Sequence, residues 1–203
     1  GSVAAFSREE EHALKEIVVA CRKSPRADNL LLRLPRFDHE LEEVHGFRQL
    51  ADCATDAYDG VLDARGTTSL YDAAVNAVDA VASQGAKLIA EDLSANAILF
   101  VITDGEDNHS KSTPREVKKA IERAMKAECL ESIVTVLIGV NVREASVADA
   151  LKRFSTEAGF TQYVELADAN ASSLAKLASF VSRSISSQSQ SLGTGGPSKA
   201  LTF

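Results

Sequence analysis

The sequence has few cysteines, no long apolar run and a shortage of positive charge, and each lack excludes a class of protein. Its three cysteines are odd in number and show no C-x-x-C spacing, so neither a disulfide framework nor a zinc knuckle is expected. No apolar run approaches the roughly 20 residues that cross a bilayer. The N-terminal residues also lack the layout of a signal peptide. We therefore expect a chain that does not enter a membrane and that works in the cytoplasm.

Positive charge is scarce relative to negative charge. The chain has 22 Lys and Arg against 29 Asp and Glu, a net charge of -7. Such a balance repels phosphate backbones, so nucleic acid is not an expected partner. The phosphate loops G-x-G-x-x-G and G-x-x-x-x-G-K-[ST] are also missing, as is the G-x-S-x-G elbow of hydrolases. These absences argue against the common nucleotide-binding and hydrolytic enzymes.

The apolar residues that are present form a pattern of alternating helices and strands. The segments 97–103 and 132–140 are apolar on both faces, which is typical of parallel strands covered by helices on both sides. Further strands are predicted at 29–35, 40–50 and 161–166, and helices at 7–23, 68–84, 113–128, 146–158 and 170–184. This order predicts an α/β fold with three layers and a doubly wound, mostly parallel sheet that has one antiparallel edge strand.

The composition changes near residue 186, where Ser, Gln, Gly and Thr become frequent. Such a stretch buries too little apolar surface to offset the entropy lost on ordering. We therefore predict one domain over residues 1–185 and a flexible tail over residues 186–203. An alternative is that Leu201 and Phe203 form a peptide that docks on a partner or on the domain itself.

Two polar segments mark a candidate site. Thr103-Asp104-Gly105-Glu106-Asp107-Asn108 follows a buried strand, and Gly66-Thr67-Thr68 opens a helix. Ligands of open α/β sheets bind at the carboxyl ends of the strands, where the first segment lies. Taken singly, Asp104-Gly105 could be a simple turn, and Thr67 or Thr68 a helix cap. His109 has no partner at metal-ligand spacing and is expected on the surface.

Together the two segments resemble the von Willebrand factor A (VWA) family and its metal-ion-dependent adhesion site, known from integrin I domains. The resemblance rests on a buried strand that ends in T-D-G-E and on an upstream helix that opens with G-T-T-x-L. In that family the metal is held by a D-x-S-x-S loop, a threonine and an aspartate. The resemblance implies a Mg²⁺ (or Mn²⁺ or Ca²⁺) site formed by Asp104, Thr67 and Ser2. It also implies a partner surface beside that site, formed by Gly66, Thr68, Gly105, Glu106 and Asn108.

The function that this resemblance implies is protein binding without catalysis. A partner would complete the metal shell with an acidic side chain, since hard dications prefer oxygen ligands. The first strand and a complete D-x-S-x-S loop of the family are missing, so Ser2 belongs either to the end of that loop or to a cloning remnant. The missing strand implies a gap in the sheet and exchange of a strand or of the tail with another chain.

Two alternatives to metal-dependent binding remain open at this point. One is a metal-dependent phosphotransferase or hydrolase that uses Asp104, because acidic residues at strand ends support Mg²⁺ chemistry. The other is a scaffold that binds its partner without any metal.

Overall fold

The structure, a computed structural model, describes residues 2–23, 27–62, 67–140, 142, 144–168, 170–194, 201 and 203. These residues form helices α1 (Ser2–Arg22), α2 (Leu70–Ala90), α3 (Pro114–Lys126), α4 (Ala145–Ala158) and α5 (Ala171–Thr194). They also form strands β1 (Leu31–Phe37), β2 (Leu41–Gln49), β3 (Asn96–Thr103), β4 (Ser132–Val140) and β5 (Gln162–Leu166). The mixed α/β class predicted from the sequence is therefore confirmed.

The strands are divided between two sheets. Strands β1 and β2 pair antiparallel, from Phe37 opposite Leu41 to Leu31 opposite Gln49. Strands β3, β4 and β5 pair parallel in that order, and β3 lies in register with β4 along its whole length. Among the described residues the antiparallel pair thus forms a sheet of its own, where the sequence had predicted one edge strand of a single sheet.

Apolar side chains cover both faces of the parallel sheet. On one face, β4 and β5 pack against α5 through buried residues that include Val136, Ile138 and Phe180. On the other face, Val101 and Leu137 pack against α2, α3 and α4. Each such aliphatic or aromatic side chain stabilises the fold by about 1.5–3 kcal/mol when it is fully buried. This two-sided burial is what the continuous apolar runs of β3 and β4 predict.

A third apolar cluster lies under the antiparallel hairpin. It joins Val18 and Cys21 of α1 to Leu50, Cys53 and Tyr58, which follow β2. All three cysteines are buried and unpaired, as the sequence predicted. Burial raises the pKa of Cys21 to about 11, so this thiol stays protonated at neutral pH.

Two of the predicted helix ends are confirmed. Thr113 and Glu116 form a capping box at the start of α3, with Pro114 at the first helical position. Helix α4 ends at Gly159, whose φ of 73° is the left-handed conformation that glycine adopts most readily. Local sequence chemistry determines both of these ends.

Helices α1 and α5 differ from the prediction. Helix α1 begins at Ser2 rather than at residue 7, so the predicted start was wrong. Helix α5 continues to Thr194 and crosses the boundary predicted at residue 186. Ser184 and Gln188 are buried, and the main-chain oxygen of Gln188 accepts a hydrogen bond from Asn96 Nδ2 at 3.0 Å. Tertiary contacts therefore extend a helix whose Ser-rich sequence is a poor helix former alone.

Of the tail beyond α5, the structure describes Leu201 and Phe203. Leu201 packs against the cluster formed by β4, β5 and α5, and the Phe203 ring meets the Phe180 ring edge-on at 5.4 Å. The other tail residues, 195–200 and 202, lie outside the described residues. No helix in the described part of the chain is long and apolar enough to span a membrane.

Candidate functional site

The two polar segments singled out in the sequence lie side by side. The backbone N–H of Thr68 donates to Asn108 Oδ1 at 2.8 Å, and the backbone N–H of Asn108 donates to the Thr68 carbonyl at 3.1 Å. These two reciprocal bonds join the start of α2 to the loop after β3. The sequence prediction that both segments belong to one place is consistent with this contact.

Side chains of the β3–α3 loop cap helix α2. The backbone N–H groups of Tyr71 and Asp72 donate to Ser110 Oγ at 3.0 and 3.1 Å, and Tyr71 also donates to Asp107 Oδ1 at 3.3 Å. The first N–H groups of a helix have no partner within the helix. Ser69, at the N-cap position, makes no side-chain capping bond. Asp107 and Ser110 of the neighbouring loop therefore accept the hydrogen bonds of N–H groups in the first turn.

Asp72, in the first turn of α2, also forms hydrogen bonds with the β3–α3 loop. Its carboxylate accepts hydrogen bonds from the backbone N–H of Ser112 at 2.8 Å and of Lys111 at 3.0 Å. Partial burial of Asp72 favours the neutral acid, but the hydrogen bonds from Ser112 and Lys111 outweigh it. The pKa of this carboxyl is therefore below its ordinary value.

The tip of the β1–β2 hairpin completes the assembly. The backbone N–H of Ser69 donates to the Asp38 carbonyl at 2.7 Å, and Ser69 Oγ donates to the His39 carbonyl at 3.1 Å. His39 Nδ1 lies 2.7 Å from Asp38 Oδ1. We call the surface formed by residues 38–40, 67–72 and 104–112 the rim. Its three segments are held together by backbone hydrogen bonds.

A shallow groove of about 450 Å³ opens at the rim. The ring centroids of His39 and His109 are 6.5 Å apart, and the two rings meet edge to face. The groove is lined by His39, Glu40, Leu41, Ser69, Asp72, Ala73, His109 and Lys111. Its walls come from all three segments of the rim.

The predicted site residues are placed as follows. Thr67, Asp104 and Glu106 are exposed, while Thr68 is half-buried. Asn108 is exposed as well, but its amide oxygen is used in the bond to Thr68. Gly105 is half-buried, and a Cβ there would lie 3.9 Å from Thr68 Oγ1. Gly66 lies outside the described residues. Ser2 begins helix α1, and its side chain lies outside what the structure describes.

The predicted metal site does not fit this arrangement. Ser2 is part of a helix and not of a loop that follows a strand. Of the predicted ligands, the Asp104 carboxylate and the Thr67 hydroxyl therefore remain. Across the described part of the chain, no group of three or more His, Cys, Asp or Glu side chains is placed to hold a metal ion. Hard dications such as Mg²⁺ and Ca²⁺ take six or more oxygen ligands, some of them water, and the described set supplies two. The prediction of a metal-ion-dependent adhesion site is therefore corrected.

Sequence reasoning missed several groups of the rim. His109 is exposed, as expected from the sequence, but its contact with the His39 ring was not predicted, and Asp72, Ser110 and Lys111 were assigned no role. The available signal was weak: Asp72 is an acid in the first turn of a helix, where the helix dipole favours negative charge. The groups that it contacts lie about 40 positions away in the chain, beyond any local pattern.

Comparison with known proteins gives a structural likeness and no family. No family model matches the chain, and no curated protein matches it. Among solved structures, the chain is similar to a mutant form of the PilB minor pilin from Streptococcus sanguinis, with 16% sequence identity and a TM-score of 0.62. The match covers 94% of this chain and 56% of the pilin chain. At this identity the likeness shows the fold alone.

These findings overturn the resemblance to the VWA family. The chain is similar in structure to a minor pilin, and no family model supports a VWA assignment. The described strands form a two-stranded antiparallel sheet and a three-stranded parallel sheet. A T-D-G-E strand end and a G-T-T-x-L helix opening are short motifs, which ordinary turn and capping chemistry also produces.

Proposed function

We propose that this chain is a non-enzymatic protein-binding module whose docking surface is the rim. A three-layer, doubly wound core supports the rim, with α1 and α5 on one face of the parallel sheet and α2, α3 and α4 on the other. The observation that carries the proposal is that hydrogen bonds hold the hairpin tip and the β3–α3 loop against the start of α2. A surface held in one conformation loses little entropy on binding.

The charge of the rim indicates the chemistry of the partner. Its residues include six carboxylates and one lysine, and Glu40, Asp104 and Glu106 are exposed. The acidic partner group expected from the sequence required a bound cation. Without one, charge complementarity favours a partner that presents lysine or arginine side chains. The scaffold that needs no metal, an alternative raised by the sequence, is the form of the proposal that we adopt.

The similarity to a minor pilin suggests where such a module would be used. We propose that it is one domain of a larger structural assembly, since the chain spans 56% of the pilin chain that it matches. An assembly subunit requires a docking surface and no catalytic centre. The cytoplasmic location expected from the sequence stays a prediction.

The test is affinity capture with matched variants. The chain of residues 1–203 is immobilised as wild type, as the double variant Asp104→Asn/Glu106→Gln, and as the control Glu122→Gln, which removes an exposed carboxylate of α3. We expect a protein from an extract of the source organism to bind wild type and control and to be lost from the double variant. Binding should survive EDTA and weaken at about 0.5 M NaCl, because salt screens exposed charges.

Three outcomes would contradict the proposal. The rim is not the docking surface if the double variant retains the same protein as wild type. A metal takes part if EDTA releases the protein. Hydrolysis of a phosphoester or acyl ester that disappears in Asp104→Ala would instead support the enzymatic alternative.

A further inference from the structure

Each of the two sheets has an outer strand with one edge that pairs with no described strand, β1 in one sheet and β3 in the other. Strand β1 pairs with β2 on one side, and β3 pairs with β4 on one side. Nothing in the described ranges pairs with the second edge of either strand. Such edges present rows of N–H and C=O groups that can bind another strand.

The two free-edged strands run in the same direction under the same helix. Asp38, directly after β1, accepts a hydrogen bond from Ser69 at the start of α2, and Asp107, shortly after β3, accepts one from Tyr71. Both strands therefore end beside the first turn of α2. Along the helix, Arg33 of β1 donates to Asn76 of α2 at 2.9 Å.

The α2 face of both strands belongs to one apolar cluster. Phe37 of β1 and Leu99 and Val101 of β3 pack in the cluster that contains Leu70, Ala74 and Val78 of α2. Helix α2 therefore spans the interval between the two strands on this face.

The opposite face is covered in the same way. Ile17 of α1 and Ile185 of α5 each pack both in the hairpin cluster, with Leu32 and Leu34, and in the cluster of the parallel sheet, with Ile98 and Phe100. Helices thus bridge β1 and β3 on both faces while the strands themselves do not pair. The interval between the two unpaired edges is therefore bounded by helices on both faces, and we call it the slot.

The burial of the β3 side chains is consistent with an unpaired edge. Ile98, Leu99 and Phe100 are half-buried, although the equivalent central residues of β4 are buried. Helices cover both faces of β3, so the remaining exposure lies along its free edge. A strand with apolar residues on both faces normally has a neighbour on each side.

We propose that this slot receives one extended segment of a partner protein, which joins β1 and β3 into one continuous sheet. Addition of a strand to an open sheet edge is an established mode of peptide recognition. The segment is seven to nine residues long, to match the lengths of β1, β3 and β4. It is apolar on both faces and uncharged in its centre, since residues 97–102 of β3 carry no charge and Arg33 and Arg36 of β1 already pair with Glu43 and Glu42. The slot is separate from the exposed carboxylates of the rim.

A peptide with the sequence of β4, extended by two lysines at each end for solubility, is a suitable probe. Eight of its nine central residues, Ser132 to Gly139, already pair with one edge of β3 in the fold. We expect the peptide, at about ten times its Kd, to slow amide hydrogen exchange in β1 and β3 by about tenfold, since protection scales with the bound fraction. A control peptide with Lys in place of Val134, Val136 and Ile138 should give no protection. The Asp104→Asn/Glu106→Gln variant should bind the β4 peptide as wild type does.

Each of the other results would overturn the proposal. Unchanged exchange of β1 and β3 with the peptide shows that the slot does not accept a strand. A dimer of residues 1–203 by light scattering, with both edges already protected, assigns the slot to a second copy of this chain. Faster exchange of β3 after deletion of residues 195–203 assigns it to the tail. Neither of the last two results bears on the rim, so the two proposals fail independently.

Discussion

At the scale of single residues, the rim depends in part on Asp72, to which the sequence analysis assigned no role. Its carboxylate accepts two backbone hydrogen bonds from the β3–α3 loop, and its own backbone N–H donates to Ser110. Asp104 is exposed. Substitutions of Asp72 should therefore change stability, while those of Asp104 should change binding.

We predict that Asp72→Asn lowers the free energy of unfolding by about 1 kcal/mol near pH 7, since it weakens bonds to a charged acceptor at a partly exposed position. The folded-state pKa of Asp72 lies below the unfolded value of about 4. The stabilisation from its charge is thus complete above pH 4 and disappears as the pH falls through the folded-state pKa. Urea unfolding of wild type and of Asp72→Asn, at about pH 7 and about pH 3, measures the difference in unfolding free energy. The difference should be smaller at about pH 3.

The matched control is Asp79→Asn. Asp79 forms an exposed salt bridge with Arg123 at 2.7 Å, a kind of pair that contributes about 0–1 kcal/mol. We expect the control to change stability less than Asp72→Asn at pH 7. Equal losses for the two variants, or a loss for Asp72→Asn that grows at low pH, would refute the role assigned to Asp72.

Gly85 shows a different single-residue constraint. It lies within α2, where alanine would ordinarily gain up to about 1 kcal/mol. A Cβ at Gly85 would, however, overlap the Cys129 carbonyl and lie 2.7 Å from Leu130 Cδ2. We predict that Gly85→Ala lowers the unfolding free energy by about 1–3 kcal/mol, as overpacking does. The control is Gly46→Ala, because a Cβ at Gly46 meets nothing within 4 Å. It should leave the unfolding free energy unchanged or raise it. Thermal unfolding of both variants measures the difference.

At the scale of elements, short capping signals determine where helices begin and end. Thr113 N–H and Oγ donate to Glu116 at 2.7 and 2.9 Å, which holds the first turn of α3. Helix α3 in turn supplies four buried side chains to the cluster with α2 and α4. Loss of the cap should therefore reduce the stability of the whole domain.

We predict that Thr113→Ala lowers the unfolding free energy by about 1 kcal/mol, the usual effect of removing a side-chain N-cap. The control is Thr156→Ala, because Thr156 is exposed and its hydroxyl donates to the Lys152 carbonyl within its own helix. Denaturant midpoints compare the two variants. A control that is as destabilised as Thr113→Ala would show that the cap itself contributes little.

At the scale of the whole molecule, α5 connects parts of the chain that are far apart in sequence. Its residues pack on β4 and β5, its Gln188 meets Asn96 of β3, and its Ile185 also reaches the hairpin cluster. The Phe203 ring covers Phe180 from outside. Folding of the domain should therefore depend strongly on α5 and only weakly on the tail.

Two substitutions of the same kind separate these contributions. Phe180 is fully buried, so Phe180→Ala should cost about 3–5 kcal/mol through lost packing and a cavity. Phe203 is 44% exposed, and Phe203→Ala should cost about 1 kcal/mol or less. Chemical unfolding measures both values. A cost of Phe203→Ala close to that of Phe180→Ala would mean that the tail is an integral part of the core.

Local sequence patterns predicted the elements well where an apolar run or a helix-capping residue determines the bounds of an element. The extent of β4 was predicted residue for residue, and β3 to within one residue, because apolar runs bounded by polar turns define strands. The ends at Thr113 and Gly159 were predicted from capping chemistry. The start of α1 and the end of α5 were missed. The end of α5 depends on contacts with other elements, such as that of Gln188 with Asn96.

The amino-acid sequence by itself thus determined the α/β class, the apolar strands and the two polar segments, since these depend on interactions between near neighbours in the chain. Only the tertiary structure decided how the strands are shared between two sheets, how three distant segments form the rim, and which polar groups are used within the fold. Those outcomes depend on hydrogen bonds between residues about 30 to 40 positions apart. Such bonds leave no periodic signal, because side chains that meet across a fold need no regular spacing along the chain.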